Sequence, residues 1–196
     1  MDEAVTVWER ATMLSKDFRI YNLTEPSIIP PTLTIKDWRK PPSGYIKVNV
    51  DAVVINGSSG LGTIARDQDG FVIGGCYKFV DKALDVNWAE LEALKKGLHL
   101  AARLKIARLI VESDSAGLVN SVNKRNKDIT VFGQHIKHTC NAFNFFDSIH
   151  VNWISRTSNN AADLLCHLAV RNKVDLYFDM DYPTDIHSLI IKDAIR

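Results

Sequence analysis

Residues 45–80 read YIKVNVDAVVINGSSGLGTIARDQDGFVIGGCYKFV, and this stretch decides the fold class. Ile46, Val48 and Val50 alternate with Lys47, Asn49 and Asp51, the period-two signature of a strand with unlike faces. Gly57-Ser58-Ser59-Gly60 reads as a turn, followed by a second strand over 61–66. Asp67-Gln68-Asp69-Gly70 then turns the chain into a third strand over 71–80. Short turns between three strands predict an antiparallel meander.

Downstream the period changes to that of helices. Residues 88–105 carry the longest helical pattern, and ARLIVE at 107–112 suits a buried strand. Helices over 115–123 and 131–144, a strand over 149–154 and a helix over 161–172 complete the order β-β-β-α-β-α-α-β-α. That order predicts an α/β domain with a five-stranded mixed sheet, three antiparallel strands then two further strands, flanked by helices. The domain is expected over 38–172. Residues 1–37 read as an appendage or linker: an amphipathic helix over 3–18 with Val7, Ala11 and Leu14 on one side, then breaks at Pro26, Pro30 and Pro31. Residues 173–196 form a tail that either packs back or trails off.

At 196 residues and 46% hydrophobic, the chain can bury one sizeable core but not two full domains. Its 24 Lys+Arg nearly cancel 23 Asp+Glu, and a net charge of +1 excludes a strongly basic nucleic-acid coat or an acidic tail. No apolar run approaches the roughly 20 residues that span a bilayer. The acidic start Met1-Asp2-Glu3-Ala4-Val5 lacks the layout of a signal peptide. Cys76, Cys140 and Cys166 are odd in number and far apart, which fits small core residues in a reducing compartment. The expectation is an intracellular protein, nuclear or cytoplasmic, not secreted, without a membrane partner, and monomeric.

Four acids stand where burial is expected. Asp51 ends the first strand; alone, it reads more readily as a turn-starting Asp. On the long helix Glu90, Ala93, Leu94, Gly97, Ala101 and Leu104 share one face, opposite Glu92, Lys95, Lys96, His99 and Arg103. Glu90 therefore faces the sheet, unless Asn87-Trp88-Ala89-Glu90 is a capping box. Asp114 closes the run 109–114 at the carboxyl end of a strand, where open α/β sheets bind ligands, or else caps the next helix. Asp163 lies in the first turn of the last helix, where an acid also complements the helix dipole. Four carboxylates brought together would repel by several kcal/mol even at an effective dielectric of about 20. Hard divalent cations offset such repulsion, and two of them ~3.5–4 Å apart catalyse in-line phosphoryl displacement.

Val48-Asn49-Val50-Asp51, Ala89-Glu90-Leu91-Glu92-Ala93-Leu94, Glu112-Ser113-Asp114-Ser115 and Arg156-Thr157-Ser158-Asn159-Asn160-Ala161-Ala162-Asp163 follow one another in the order of a known motif set. The set resembles type 1 ribonuclease H domains. Its nearest likeness is to the plant branch, found alone or at the C-terminal end of LINE-type retroelement reverse transcriptases. The lead-in Trp38…Pro41-Pro42-Ser43-Gly44-Tyr45-Ile46-Lys47 and Ile64-Ala65-Arg66-Asp67…Gly70 are similar to that branch too. The resemblance covers about 38–172. It implies an RNase H-like fold and cleavage of the RNA strand of RNA–DNA hybrids by two Mg²⁺ ions, with Mn²⁺ as a substitute. It implies an upstream reverse transcriptase domain as a partner. Asp51 would bridge both ions, Glu90 and Asp114 would complete one shell, and Asp163 would hold the ion that activates water. The products would carry a 5′-phosphate and a 3′-hydroxyl.

Three departures bear on activity. The family usually has Gly where this chain has Ala52, and an added methyl there would weaken a close backbone approach. Bacterial members carry a loop His where Trp153 stands, with His150 nearby; plant-branch members commonly lack it. Plant-branch copies often sit in decaying retroelements, so a catalytically inactive RNase H-fold module that binds nucleic acid or protein is the alternative.

Lys124, Arg125 and Lys127 resemble the basic handle with which some members grip the duplex, although a solvated loop explains them more simply. With Arg156 and Asn159 of the last motif, they are the expected nucleic-acid contacts. His135, His138 and Cys140 have metal-like spacing but no second ligand pair. Trp88 is either a base-stacking or a core residue, and His167 lies one turn past Asp163. If four acids are neutralised by two divalent ions, the remaining surface carries about +5, which suits a modest polyanion binder.

Overall fold

The computed structural model describes residues 37–195. The helix expected over 3–18 lies outside the described residues. In chain order the elements are β1 (Ile46–Ile55), β2 (Ser58–Arg66), β3 (Val72–Val80), α1 (Val86–Arg103), β4 (Arg108–Ser113), α2 (Ala116–Asn123), α3 (Val131–Cys140), β5 (Ser148–Trp153), α4 (Asn160–Asn172), β6 (Leu176–Phe178) and α5 (His187–Ala194). Short 3₁₀ turns at Asn141–Phe145, Arg156–Ser158 and Thr184–Ile186 join some of them.

The sheet has six strands in the order β5-β4-β1-β2-β3-β6, one more than the sequence led us to expect. β1, β2, β3 and β6 pair antiparallel in turn. β4 lies parallel to β1, and β5 parallel to β4. The sixth strand is only three residues, Leu176–Phe178, too short for a period to show, and it pairs with β3 through Gly75↔Phe178.

The first hairpin turns at Asn56-Gly57, not over 57–60. Both residues have positive φ, 50° and 80°, as the primed two-residue hairpin turn requires and as Asn-Gly favours. β1 therefore runs on to Ile55, and Asp51 lies mid-strand instead of at a strand end. The expected helix over 131–144 likewise tightens to 3₁₀ geometry after Cys140.

Two cores sandwich the sheet. Val48, Val50, Leu109 and Val111 are buried with Leu91 and Leu94 of α1, and Gly97 sits over Val48 and Val50. On the opposite face Ile64 packs with Leu165 and Leu168 of α4 and with Ile186 and Ile190 of the C-terminal segment. Each such fully buried side chain contributes ~1.5–3 kcal/mol. A Cβ on Gly62 would collide with the carbonyl of Ala162, so the missing side chain lets α4 settle beside Asp51, the cross-strand partner of Gly62. Cys76, Cys140 and Cys166 are free and buried, as core residues should be. Among the described residues, no helix is long and apolar enough to cross a membrane.

Candidate metal centre

Asn49 pairs with Glu112 across the parallel β1–β4 ladder, and two residues further along each chain stand Asp51 and Asp114. Asp51 is buried, and its Oδ1 accepts the Ala52 N–H at 2.8 Å. Glu90 enters from the second turn of α1. The capping alternative for it fails, because the helix starts earlier and Asp85 is the cap, accepting from the N–H groups of Asn87 and Trp88. Glu90 is left buried, and its Oε2 has no hydrogen-bond partner.

One carboxylate oxygen from each of Asp51, Glu90 and Asp114 lies within 4.8 Å of the others, the one group of this kind among the described residues. Burial, reinforced by the charge of Asp114, pushes the Asp51 carboxyl up to about 8 despite the opposing Ala52 N–H. Burial and then the charges of Asp51 and Asp114 push Glu90 up to about 9. Three oxygen ligands, one with an orphaned buried atom, that resist joint ionisation fit a hard divalent cation, whose charge would favour all three carboxylates.

Asp163 stands apart from that cluster. It lies in the first turn of α4, partly exposed, with Arg156 Nη2 at 3.4 Å and His167 Nε2 at 3.8 Å from its Oδ1. Its charge still contributes to raising the Asp51 carboxyl. The sequence-predicted acids thus divide into a convergent three and a flanking fourth, and His167 does neighbour Asp163.

The structure places the two residues that the departures noted in the sequence concern. Trp153 donates its indole N–H to the backbone carbonyl of Asp114 at 3.0 Å. His150 is remote from the acids: it pairs with Ile110, four residues before Asp114, is exposed, and sits by Ser148 Oγ and the Tyr45 ring.

The expected nucleic-acid contacts separate in the same way. Arg156 and Lys127 are exposed. Lys124 caps the end of α2, and Arg125 bonds the Val122 carbonyl with its guanidinium over the Phe143 ring. Asn159 does not reach the surface. It is 1% exposed and its amide is spent on Val50, Asp114 and Asn49, which corrects its placement as a nucleic-acid contact. Trp88 packs edge-on against Phe132 and His135, so it joins α1 to α3.

Sequence reasoning missed a buried polar layer beside the acids. Lys47 and Glu112 form an ion pair at 2.7 Å, both almost wholly buried, and Asn49 and Arg66 lie beside them. The available signal was Glu112 inside the apolar run 109–114, on the strand next to Lys47 and Asn49.

The reverse transcriptase-like family matches residues 49–169, a span that contains all four acids. The chain belongs to that family. A comparison with curated proteins finds no match. Among solved structures, RNase H1 from Halobacterium salinarum superposes with a TM-score of 0.60 at 17% identity, over 65% of this chain and 98% of that one. The N-terminal RNase H domain of a Mycobacterium tuberculosis protein gives 0.59 at 23% identity, over 65% and 94%. LC11-RNase H1, solved in complex with an RNA/DNA hybrid, gives 0.57 at 18%, over 65% and 98%. At such identities the likeness is one of fold, and this member of the reverse transcriptase-like family has the RNase H-like fold.

Proposed function

We propose that this domain is a ribonuclease H, an endonuclease that cuts the RNA strand of RNA–DNA hybrids with divalent metal. The observation that carries the reading is the meeting of Asp51, Glu90 and Asp114 within 4.8 Å, with Glu90 Oε2 buried and unpartnered. The hybrid bound by LC11-RNase H1, which shares the fold, supports the substrate class. Asp51, Glu90 and Asp114 would hold one ion, with Asp51 and Asp163 reaching a second; Mg²⁺ is the expected metal and Mn²⁺ a substitute. Two divalent ions held there supply Lewis acidity at the scissile phosphate and a water of lowered pKa. Arg156, exposed beside Asp163, offers a guanidinium to a phosphate, and Lys124, Arg125 and Lys127 offer charge further along the duplex.

We place the domain in the plant branch, derived from a LINE-type retroelement with an upstream reverse transcriptase domain, and inside the cell as a monomer. The four motifs and the Trp38 lead-in support the branch, and three buried free cysteines support a reducing compartment.

A second reading, a catalytically idle module that binds nucleic acid or protein, is favoured by one observation: Asp163 is ion-paired with Arg156 outside the acidic cluster. Incubating a labelled hybrid with the protein and Mg²⁺, beside an Asp114→Asn control, separates the two. Cleavage by wild type alone supports the nuclease. No cleavage, or equal cleavage by the variant, sinks it, and preferential cutting of duplex DNA would reassign the substrate.

A further inference from the structure

Asp114 receives a hydrogen bond from a side chain that carries no charge. Asn159 Nδ2 lies 3.1 Å from Asp114 Oδ1 and 3.0 Å from the carbonyl oxygen of Val50, so both its protons are committed. Its Oδ1 accepts from Asn49 Nδ2 at 3.3 Å, and a flipped amide would set nitrogen against nitrogen there. Asn49 has no freedom to flip in compensation. Its Oδ1 accepts from Trp38 Nε1 at 3.0 Å and Arg66 Nη2 at 2.9 Å, and neither of those groups can accept. Its Nδ2 also donates to Glu112 Oε2 at 3.1 Å. Asn49, Arg66 and Asn159 are all at most 1% exposed, so water offers no alternative partner. Arg66 is itself held by Asp193 of α5 at 2.7 Å and stacks on the Trp38 ring.

We propose that Asn159 is the positioning residue for the Asp114 carboxylate, and that Asn49, clamped by Trp38 and Arg66, holds Asn159 in its donating orientation. The proposal rests on reading the acidic triad as a metal centre. A hydrogen bond to one carboxylate oxygen fixes the rotation of the whole group, and with it the lone pairs presented to a cation. The relay reaches Asp114 from the sheet's buried polar layer, not from solvent.

The test is calorimetric titration of the metal-free protein with Mn²⁺, without nucleic acid. Asn159→Ala, shown folded by circular dichroism, should bind Mn²⁺ roughly 10–100-fold more weakly than wild type. A lower melting temperature with Mn²⁺ affinity unchanged within about twofold would mean a merely structural residue and overturn the proposal. Asn49→Ala should weaken binding in the same direction, and the double variant should lose little more than Asn159→Ala alone. Fully additive losses would overturn the clamp. A second measurement does not need Asn159→Ala to fold. In ¹⁵N-labelled metal-free protein, the Asn159 side-chain amide protons should exchange slowly, and Asp114→Asn should shift them and hasten exchange. Unchanged resonances overturn the proposal. If wild type binds no Mn²⁺, the functional reading falls, while the amide resonances still decide this one.

Discussion

The indole N–H of Trp153 is bonded to the backbone carbonyl of Asp114, 3.0 Å away, so the last residue of β5 grips the residue that follows β4. Trp153→Phe keeps an aromatic ring at the site but removes the donor and part of the packed volume. One partly buried hydrogen bond is worth about 1 kcal/mol net, and a domain of this size should melt ~2–4 °C lower. A melting temperature equal to wild type would show that this contact does not fasten the strand end.

Cation binding should raise stability. Mg²⁺ or Mn²⁺ that binds only the folded state stabilises by mass action, about 2.7 kcal/mol at a hundredfold excess over the dissociation constant. Asp51→Asn removes the cost of burying an ionisable carboxyl beside other acids, so the metal-free variant should melt higher than metal-free wild type and lose most of the metal-induced rise. Thermal melts with chelator and with Mg²⁺ check both. A metal-free variant that melts lower would count against a crowded acidic site.

Without metal, the triad should make the fold less stable as pH rises. Asp51 and Glu90 ionise at about 8 and about 9 in the folded chain, against ordinary values of 3.8 and 4.5. An acid whose folded value is raised ionises first in the unfolded chain, so it imposes no penalty below its unfolded value. The penalty grows from there until pH passes the folded value. Chelated protein should therefore lose denaturant resistance between about pH 5 and pH 9, and Glu90→Gln should flatten that decline. Cations compete with the same protons, so Mn²⁺ affinity should strengthen over the same window. A flat profile for the chelated wild type would refute the assignment.

The Lys47–Glu112 pair should matter more when broken than when removed. Glu112→Gln leaves an ammonium with under a tenth of its side chain exposed and no anionic partner. Breaking such a buried pair costs ~3–5 kcal/mol, whereas Lys47→Met with Glu112→Leu replaces both charges and should cost less than that. Urea unfolding of the three proteins decides this. A double variant weaker than Glu112→Gln would show the ion pair to be a net stabiliser.

What the sequence revealed followed the strength of its local signals. The acids were legible because each stands against its surroundings: Asp51 in an alternating strand, Glu90 on an apolar helix stripe, Asp114 after an apolar run. The Asn56-Gly57 turn carries a strong local signal of its own, but the glycines and serines at 57–60 drew the reading one residue late. The polar layer was hidden for a physical reason. A strand reading Lys47, Asn49, Asp51 on one face looks half-solvated by period alone. Only tertiary pairing with Glu112, Arg66 and Asn159 makes that face a buried one. β6 and Asp193 belong to long-range contacts that no local window contains.

Arg66 is closed over by Trp38 from near the start of the described chain and by Asp193 from near its end. The stretch shared with the wider family, 49–169, contains neither of these residues. A gene fragment bearing that stretch alone would carry every acid of the site but strand a guanidinium without its counter-ion. The two ends of the described chain therefore meet over one buried cation beside the acids.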